Sequence, residues 1–599
     1  YGRAQDIKSE GTLGFLRAAN ITVGKYVYKF KRSVGDFSDP EVEAGFIEAA
    51  SDKNTADLTG KALEIRQFLR QFYDEYIKPS RTAIAFRENY FPLVFNLFEI
   101  SKRSDEFAAL LQQLDPTLDE KVIKQAVQKL YEYGKVVQGE MEPDDAITFD
   151  PTNPAASVQK ALTLTKNMGR EGLADAGFLL EPQQAFVEYM RHAIKRVEFN
   201  RYTGGPKALR KSIAQLPLDQ QAKTNQIIST YLGFQEKPIG SMFRTVNSWG
   251  QFLQFITILP FATFASLPDL AGPIINSKEL NQFWPGFKQI LYRNNSPILS
   301  REEAADMAKE LGITRDEVVA NVWSTQSEQD FMDPVIRDAS DKWFRLIGLN
   351  FFTNFSREFA TSMGVNFLMN HARNKFNNPN SNRYLMELGV TAEEVLTWFD
   401  NDKNFNTPEG ERVANAISRF VESSIMRPNA AERPIWASDP RWALVWQLKS
   451  YFYSYYKTIM QGVWREAKMR VGETKGKEQL TAVGSVLLLT AIATMPLAML
   501  GMELREYAKY GLAWLLPGID ADQQYFRSDR MEWGDYWFEI YEKSGFLGPM
   551  AMAQMAHRNA EWGDSAIFSL LGPTAETIEE AFKNGWRIDR TLANRQAFL

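Results

Sequence analysis

The sequence predicts an all-α protein, an extended array of many helices that includes long amphipathic and apolar ones, with little or no sheet. Three observations support this prediction. Apolar residues recur at spacings of three and four along most of the 599-residue chain. Pairs of serine or threonine with a glutamate three positions later stand before several such runs, and the long alternating stretches that are typical of strands are missing.

Residues 1–138 are predicted to form an N-terminal helical domain. Its clearest element is an amphipathic helix that stops at Pro79, because proline cannot continue a helix. The apolar residues of this helix fall at i, i+3, i+4, i+7 and i+11, and they are Ile65, Phe68, Leu69, Phe72 and Tyr76. Thr117 and Glu120 form a capping pair that starts a further helix.

Residues 139–157 are predicted to be an acidic linker, since they include prolines and carboxylates and lack a helical period. The linker holds the densest carboxylate cluster of the chain, made of Glu140, Glu142, Asp144 and Asp145. Paired carboxylates act in hydrolases when a fold holds them at a fixed separation and an apolar wall raises one pKa. The linker offers neither, so we interpret the cluster as part of a solvated loop.

Residues 158–240 are predicted to be a basic helical segment. Three of its cations, Arg191, Lys195 and Arg196, share much of one helix face. Such a face can contact DNA phosphates or anionic lipid headgroups. A solvated helix face without a ligand is the commoner alternative, and both interpretations stay open at this point.

Residues 241–426 are predicted to form a central helical domain, because three capping pairs start helices within it. The pairs are Ser300 with Glu303, Thr314 with Glu317, and Thr391 with Glu394. The first two helices have the spacing of a helix-turn-helix, but the second offers one arginine and two acids to a DNA groove. We therefore interpret the two helices as a structural hairpin.

Residues 427–599 are predicted to form an aromatic and apolar C-terminal region. A helix over 441–468 has more aromatic rings than one core face requires, and basic residues flank them. This composition is typical of a bilayer interface or a subunit groove, and a plain buried core helix is the alternative. The candidate interface anchors are Trp442, Trp446, Lys449, Phe452 and Tyr456.

The stretch Leu480–Met502 contains 23 residues and no charged side chain. A helix needs about 20 apolar residues to cross a bilayer, so this stretch is long enough. Leu487, Leu488, Leu489 and Ile492 are its candidate lipid-facing or core-facing residues. A membrane-interacting helix and a buried core helix of a large helical assembly are both compatible with the pattern.

Composition narrows the chemistry of the chain. It has no cysteine, which excludes disulfides, thiolate zinc sites and cysteine nucleophiles. Its three histidines, His192, His371 and His557, lie far apart and are interpreted as surface or packing residues. No phosphate-binding loop, dinucleotide motif or serine-hydrolase motif occurs, so we expect no catalytic residue, no metal and no cofactor in this segment. The chain begins at Tyr1 and is interpreted as a piece of a longer polypeptide.

Several short motifs occur in a fixed order near both ends of the chain. They are Arg87-Glu88-Asn89-Tyr90-Phe91-Pro92, Arg427-Pro428, Pro434-x-Trp436, Asp439-Pro440, the helix Trp446-Gln447-Leu448-Lys449-Ser450-Tyr451-Phe452, Gly545-x-x-Gly548-Pro549 and Leu570-Leu571-Gly572-Pro573. The later motifs and the intervening apolar stretch resemble the C-terminal part of the large internal virion proteins, or ejection proteins, of short-tailed bacteriophages. The Tyr90-Phe91-Pro92 segment near the start is similar to a segment of the same proteins. The resemblance leaves roughly residues 140–240 without support.

The resemblance implies a structural, non-enzymatic virion protein that is stored in the capsid interior and expelled through the tail into the host envelope. There it would oligomerise, together with other phage internal virion proteins, and form or support a conduit for DNA across the periplasm and the host inner membrane. Non-specific contact with double-stranded DNA fits the same role. The alternative is a non-catalytic or hydrolytic segment of a large virion enzyme, either a cell-wall transglycosylase or a virion RNA polymerase. A soluble helical scaffold that never meets a membrane is a third interpretation.

Overall fold

The computed structural model of the protein describes most positions in eleven stretches of the chain. They are residues 2–51, 53–82, 103–114, 170–218, 262–278, 298–314, 334–374, 380–425, 453–473, 477–515 and 532–544, with single positions within 91–99, 220–224 and 249–252. Over these residues the protein is helical and contains no strand, so the all-α prediction is confirmed for the described part of the chain.

The helices have the following bounds in chain order. They are α1 (Gly2–Ser33), α2 (Pro40–Ala49), α3 (Gly60–Phe72), α4 (Ser104–Leu114), α5 (Arg170–Asp175), α6 (Pro182–Thr203), α7 (Pro206–Ala214), α8 (Ala262–Ala265), α9 (Ala271–Asn276), α10 (Arg301–Glu310), α11 (Pro334–Leu346), α12 (Leu349–Arg373), α13 (Ser381–Leu388), α14 (Ala392–Asp400), α15 (Pro408–Ser424), α16 (Gln461–Glu473), α17 (Lys477–Leu515) and α18 (Trp533–Lys543). A π-helical turn, Tyr73–Ile77, follows α3, and another, Tyr456–Met460, precedes α16.

The chain divides into two compact units. The first comprises Tyr1–Pro238 and Lys309–Asp330, and the second comprises Ile239–Ala308 and Phe331–Leu599. This division differs from the five segments expected from composition. The N-terminal domain and the basic segment fall in one unit, and most of the central domain falls in the other with the C-terminal region. The expected linker, residues 139–157, lies outside the described residues.

The core of the first unit is a cluster of phenylalanine rings from α1, α2, α3 and α6. Phe30 of α1 is fully buried, and its ring centroid lies 5.1 Å from that of Phe68 on α3 and 5.0 Å from that of Phe186 on α6. Phe46 of α2 lies 5.2 Å from Phe186. Because α6 supplies a central ring of this core, this helix of the basic segment folds with the N-terminal helices.

The predicted apolar stripe of α3 is confirmed. Its first four members are buried, and Tyr76 is half-buried in the following π turn. The Tyr76 hydroxyl donates a 2.6 Å hydrogen bond to the Glu198 carboxylate on α6. Pro79 lies in a 3-10 turn after the π turn, and Arg81 follows with a φ of 56°, so the chain leaves the helix at the predicted place.

Two of the predicted capping pairs are confirmed in the second unit. The Thr391 hydroxyl accepts from the Glu394 amide at 3.3 Å, and the Glu394 carboxylate accepts from the Thr391 amide at 2.8 Å. Ser300 and Glu303 make the same reciprocal bonds before α10. Glu317 and the second helix of the proposed hairpin lie outside the described residues.

The short helix α9 connects several helices of the second unit. Gly272 lies so close to the Ser424 carbonyl on α15 that a Cβ would not fit. The Asn276 amide donates to the hydroxyls of Ser423 at 2.7 Å and Ser424 at 2.9 Å. These contacts fix α9 on the end of α15, and α9 also packs on α16 and α17. The apolar C-terminal helix is thereby held by the same unit as the central helices.

Candidate functional site

The predicted apolar stretch forms one continuous helix. Residues 480–502 lie within α17, which has 39 residues. Among the described residues one helical span, Gly484–Ala508, is long and apolar enough to cross a membrane, with a mean hydropathy of 1.9 in its most apolar part. Half of that part is buried inside the protein, and the other half is not.

The two faces of α17 differ in burial although both are apolar. The buried face consists of Val486, Leu489, Ala493, Leu497, Ala498 and Met502. The exposed face consists of Leu488, Ile492, Met499, Leu500, Leu504 and Tyr507. Leu488 is 55% exposed and Ile492 is 37% exposed, while Leu487 is half-buried. The sequence left lipid-facing and core-facing roles open for these leucines, and the structure places Leu489 in the core and Leu488 on the surface.

Two threonine hydroxyls inside the apolar span are satisfied within the helix. The Thr490 hydroxyl donates to the Val486 carbonyl at 2.9 Å, and the Thr494 hydroxyl donates to the Thr490 carbonyl at 2.8 Å. Pro496 also lies within α17 and has no N–H to donate. The two threonine hydroxyls can therefore exchange a protein environment for lipid without losing their hydrogen bonds.

The buried face of α17 makes a close backbone contact at Gly501. A Cβ at this position would overlap the Phe264 carbonyl of α8, whereas a Cβ at Gly484 on the same helix would meet no heavy atom within 4 Å. Gly501→Ala is therefore expected to lower the free energy of unfolding by about 1–3 kcal/mol. Gly484→Ala, the matched control, is expected to raise it by about 0.5–1 kcal/mol, because alanine is the better helix former. Urea unfolding curves of both variants test this, and equal shifts would contradict the close contact.

A group of charged and polar side chains, buried or half-buried, lies beside the N-terminal half of α17. It consists of Glu466 and Arg470 on α16, Arg383 and Tyr384 on α13, and Lys278 just after α9, and we name it the Glu466 cluster. The Glu466 carboxylate is 5% exposed and lies 2.9 Å from Arg470 Nε, 3.3 Å from Arg383 Nη2 and 3.8 Å from Lys278 Nζ. It also accepts a 2.8 Å hydrogen bond from the Tyr384 hydroxyl.

These neighbours decide the protonation of the cluster. Burial alone would raise the pKa of Glu466, but Lys278, Arg470, the Tyr384 hydroxyl and Arg383 together lower it below the ordinary glutamate value. Burial and the Glu466 charge raise the pKa of Tyr384 to about 12. At neutral pH the cluster therefore contains an ionised carboxylate and a neutral phenol.

Arg470 links the cluster to the apolar helix. Its Nη2 donates to the Lys278 carbonyl at 2.8 Å, and its Nη1 donates to the Ser485 hydroxyl of α17 at 3.4 Å. Lys278 in turn forms an ion pair with Glu387 of α13 at 2.6 Å. One polar network of buried and half-buried side chains thus joins α13, α16, α17 and the residues just after α9.

The predicted aromatic anchors are only partly described. Trp442, Trp446, Lys449 and Phe452 lie outside the described residues. Tyr456 is exposed in the π turn before α16, which suits a surface contact. Its neighbour Tyr455 is buried and donates to the Ser544 carbonyl at 3.3 Å, and burial raises the pKa of Tyr455. Tyr456 therefore stays a candidate interface residue, whereas Tyr455 is part of the core.

Arg191 is buried, whereas the sequence suggested that it lies on a basic helix face. Arg191 is 2% exposed, and its guanidinium lies 3.4 Å from the buried Glu188 carboxylate, which also contacts His192 Nε2 at 2.7 Å. In this structure the Arg191 side chain therefore faces Glu188 and not a solvated surface. Lys195 and Arg196 are half-buried, so a phosphate contact stays a prediction for these two.

Two further predictions concern catalysis and metal binding. The acidic cluster of residues 140–145 lies outside the described residues. His371 is buried among Phe367 and Tyr384, and burial, followed by Lys278, lowers its pKa to about 4, so it is neutral at pH 7. Within the described ranges no three acidic or histidine side chains group together as metal ligands would.

One aromatic group was missed by the sequence reasoning. Helix α18 packs against the C-terminal half of α17 and presents Trp533, Trp537 and Phe538 to solvent. The spacing of the two tryptophans at i and i+4 was a signal that could have indicated an exposed aromatic pair.

No family model matches the chain, and neither a curated protein nor a solved structure is significantly similar to it.

Proposed function

We propose that the protein is a structural, non-enzymatic virion component of a bacteriophage that is ejected into the host cell. It oligomerises there and forms or supports a conduit that carries DNA across the cell envelope. The observation that supports this proposal most is the exposed apolar face of α17, on a span of 25 residues, in a chain whose mean hydropathy is −0.33. A largely polar protein rarely leaves such a face uncovered unless it is a contact surface.

A change from water-soluble protein to bilayer is physically simple for α17. The hydroxyls of Thr490 and Thr494 are bonded within the helix, so they need no partner from either environment. Each leucine or isoleucine near the centre of a span favours insertion by about 0.3–0.6 kcal/mol. Glu503 and Arg505 follow the uncharged stretch and can stay in the headgroup region.

The same proposal assigns partners and location. The chain is stored in the capsid interior and then resides in the periplasm and inner membrane of the host, with copies of itself and other internal virion proteins. Exposed Tyr456 is a candidate contact between copies. Lys195 and Arg196 are candidates for non-specific contact with double-stranded DNA, because cations on a helix neutralise phosphates irrespective of sequence.

Flotation of the full 599-residue chain with lipid vesicles tests the proposal. The chain is mixed with vesicles directly, and in a second series it is diluted from denaturant, which imitates unfolding during passage through a tail. We expect the protein to float as oligomers that cross-linking resolves, and to release a short DNA duplex from loaded vesicles. Protein that stays in the dense fraction with every lipid composition in both series would contradict membrane insertion and favour a soluble helical scaffold.

A further inference from the structure

Helix α18 is fixed beside the end of the uncharged stretch of α17. Ile540 of α18 forms a small core with Ala498 and Met502 of α17. The Tyr536 hydroxyl donates a 2.6 Å hydrogen bond to the Glu503 carboxylate, and burial and this bond raise the pKa of Tyr536, so the phenol remains a donor. These contacts hold α18 at the level of α17 where the first charged residue follows the apolar stretch.

Helix α18 also exposes large aromatic rings. Trp533 is 79% exposed, and Trp537 and Phe538 are exposed as well. The two indole rings contact each other edge to face, with centroids 5.7 Å apart. Tyr507 adds a further exposed ring on α17, one helical turn after Glu503. Tryptophan and tyrosine rings concentrate at the boundary between lipid and water, where an apolar body and a polar tip are both satisfied.

The length of the apolar stretch sets the depth at which α18 would lie. A helix of 23 residues, Leu480–Met502, is about 35 Å long at about 1.5 Å per residue. The hydrocarbon core of a bilayer is about 30 Å thick, so a modestly tilted α17 fills it. Glu503 then reaches the headgroup level of one leaflet, and α18 reaches the same level because Tyr536 is bonded to Glu503.

Acidic residues on α18 and just before it favour one class of lipid headgroup over another. Glu532 and Asp535 flank Trp533 and are exposed, whereas Arg505 of α17 is half-buried. Carboxylates and indole faces both attract an ammonium group, and carboxylates repel an anionic headgroup. We propose that α18 is an interfacial anchor whose rings enter the headgroup region of a bilayer of zwitterionic lipids, with their ammonium groups against Trp533, Trp537 and the two carboxylates. The inference rests on the proposed function, because α18 reaches the headgroups only when α17 enters the bilayer.

The size of the ring cluster favours lipid over a second copy of the chain. A large aromatic side chain buries about 150–250 Å² when fully covered, so three partly exposed rings offer at most about 450–750 Å². A stable protein interface needs about 800 Å² on each partner. The exposed acids would also face each other across a two-fold contact of α18 with itself, which is unfavourable.

The absence of cysteine permits a clean labelling experiment on the full chain. Single cysteines at Gly534 and Ile492 place an environment-sensitive fluorophore on α18 and on the middle of α17. A Cβ at Gly534 meets no heavy atom within 4 Å, so the label does not disturb α18. Ile47→Cys, an exposed position of the first unit, is the matched control. The probes are vesicles of phosphatidylethanolamine and phosphatidylcholine, and vesicles in which phosphatidylglycerol replaces half of these lipids.

With zwitterionic vesicles we expect both the 534 and the 492 labels to shift their emission to the blue, and the 47 label to stay unchanged. A nitroxide on the headgroup should quench the 534 label more strongly, and a nitroxide deep in the acyl chain should quench the 492 label more strongly. Phosphatidylglycerol should weaken the 534 response several-fold, and the double variant E532Q/D535N should remove this dependence on lipid charge. Replacing Trp533 and Trp537 together with alanine should weaken vesicle binding by about tenfold or more, because both rings then no longer leave water.

The outcomes separate this inference from the proposed function. If the 492 label responds to vesicles and the 534 label does not, α18 is not an interfacial anchor, while insertion of α17 stands. If neither label responds in any vesicle, the proposed function fails and this inference fails with it. If the 534 label responds to protein concentration and not to lipid, the rings contact a second copy and the inference is wrong.

Discussion

Replacing Glu466 with alanine is expected to lower the free energy of unfolding of the second unit by about 3–5 kcal/mol. The variant leaves Lys278, Arg383 and Arg470 near one another without their shared counter-ion, and it removes the acceptor of the Tyr384 hydroxyl. Each of these half-buried cations then loses the counter-ion that offsets part of its desolvation cost. Urea unfolding, followed by the fluorescence of tryptophans such as the fully buried Trp398, measures the loss.

A surface ion pair provides the control for this prediction. Glu48 and Lys53 lie 3.0 Å apart in the first unit, and both side chains are exposed. Glu48→Ala is expected to change the free energy of unfolding by no more than about 0.5 kcal/mol, since exposed pairs contribute little. If Glu466→Ala were as mild as Glu48→Ala, the Glu466 cluster would not stabilise the fold.

The pH dependence of the cluster follows from the lowered pKa of Glu466. A carboxyl whose folded pKa lies below its unfolded value stabilises the fold above the unfolded pKa, and this contribution is lost as pH falls through the folded pKa. The difference in stability between the native chain and Glu466→Gln should therefore be largest at neutral pH and should shrink below about pH 4.5. The contribution persists at every pH near neutrality, so mild acid does not open the cluster.

Local patterns predicted the individual helices well. The stripe of α3, the capping pair at Thr391 and the uncharged stretch of α17 each lie within a few turns of one helix. Their signals are the spacing of apolar residues and the identity of the capping residue, and both are readable in a single sequence. The fold class follows from the same signals.

The Glu466 cluster could not be predicted, because its members are far apart in sequence. Arg470 bonds the carbonyl of Lys278 across 192 positions, and Glu466 reaches Tyr384 across 82. In the sequence each of these residues resembles an ordinary surface residue of an amphipathic helix. Arg66 of α3 is a similar case. It is buried and donates to the Ala49 and Ser51 carbonyls, and nothing in its local sequence indicates this.

Arg191 has a local sequence signal for a basic surface, but its environment in the fold differs from that signal. Its spacing with Lys195 and Arg196 suggested a basic face, but Glu188 stands one turn earlier and neutralises it within the core. Burial raises the pKa of Glu188, and His192 and Arg191 more than compensate, so the carboxylate stays ionised beside the cation. A helical pair of opposite charges three positions apart was readable, although its burial depends on packing against α1.

The exposed face of α17 and the buried Glu466 cluster have complementary roles in the proposed function. The cluster joins α16 and the start of α17 to α9 and α13, so it stabilises the water-soluble packing. The exposed face is already apolar in that packing and needs no rearrangement to meet lipid first. An exposed position on this face can therefore change membrane binding without changing the soluble fold.

Ile492→Asp is the variant that separates the two states most clearly. Ile492 is 37% exposed in the soluble structure, and it lies near the middle of Leu480–Met502. Aspartate there should change the free energy of unfolding by no more than about 1 kcal/mol, as surface substitutions do. At the bilayer centre an aspartate costs about 2.5–3.5 kcal/mol, so vesicle binding in flotation should weaken about 100-fold or more.

Leu346→Asp, at another exposed apolar residue in α11, is the matched control and should float like the native chain. Equal flotation of Ile492→Asp and Leu346→Asp would mean that α17 does not enter the bilayer, because lipid would then be unable to distinguish a charge in the span from a charge outside it.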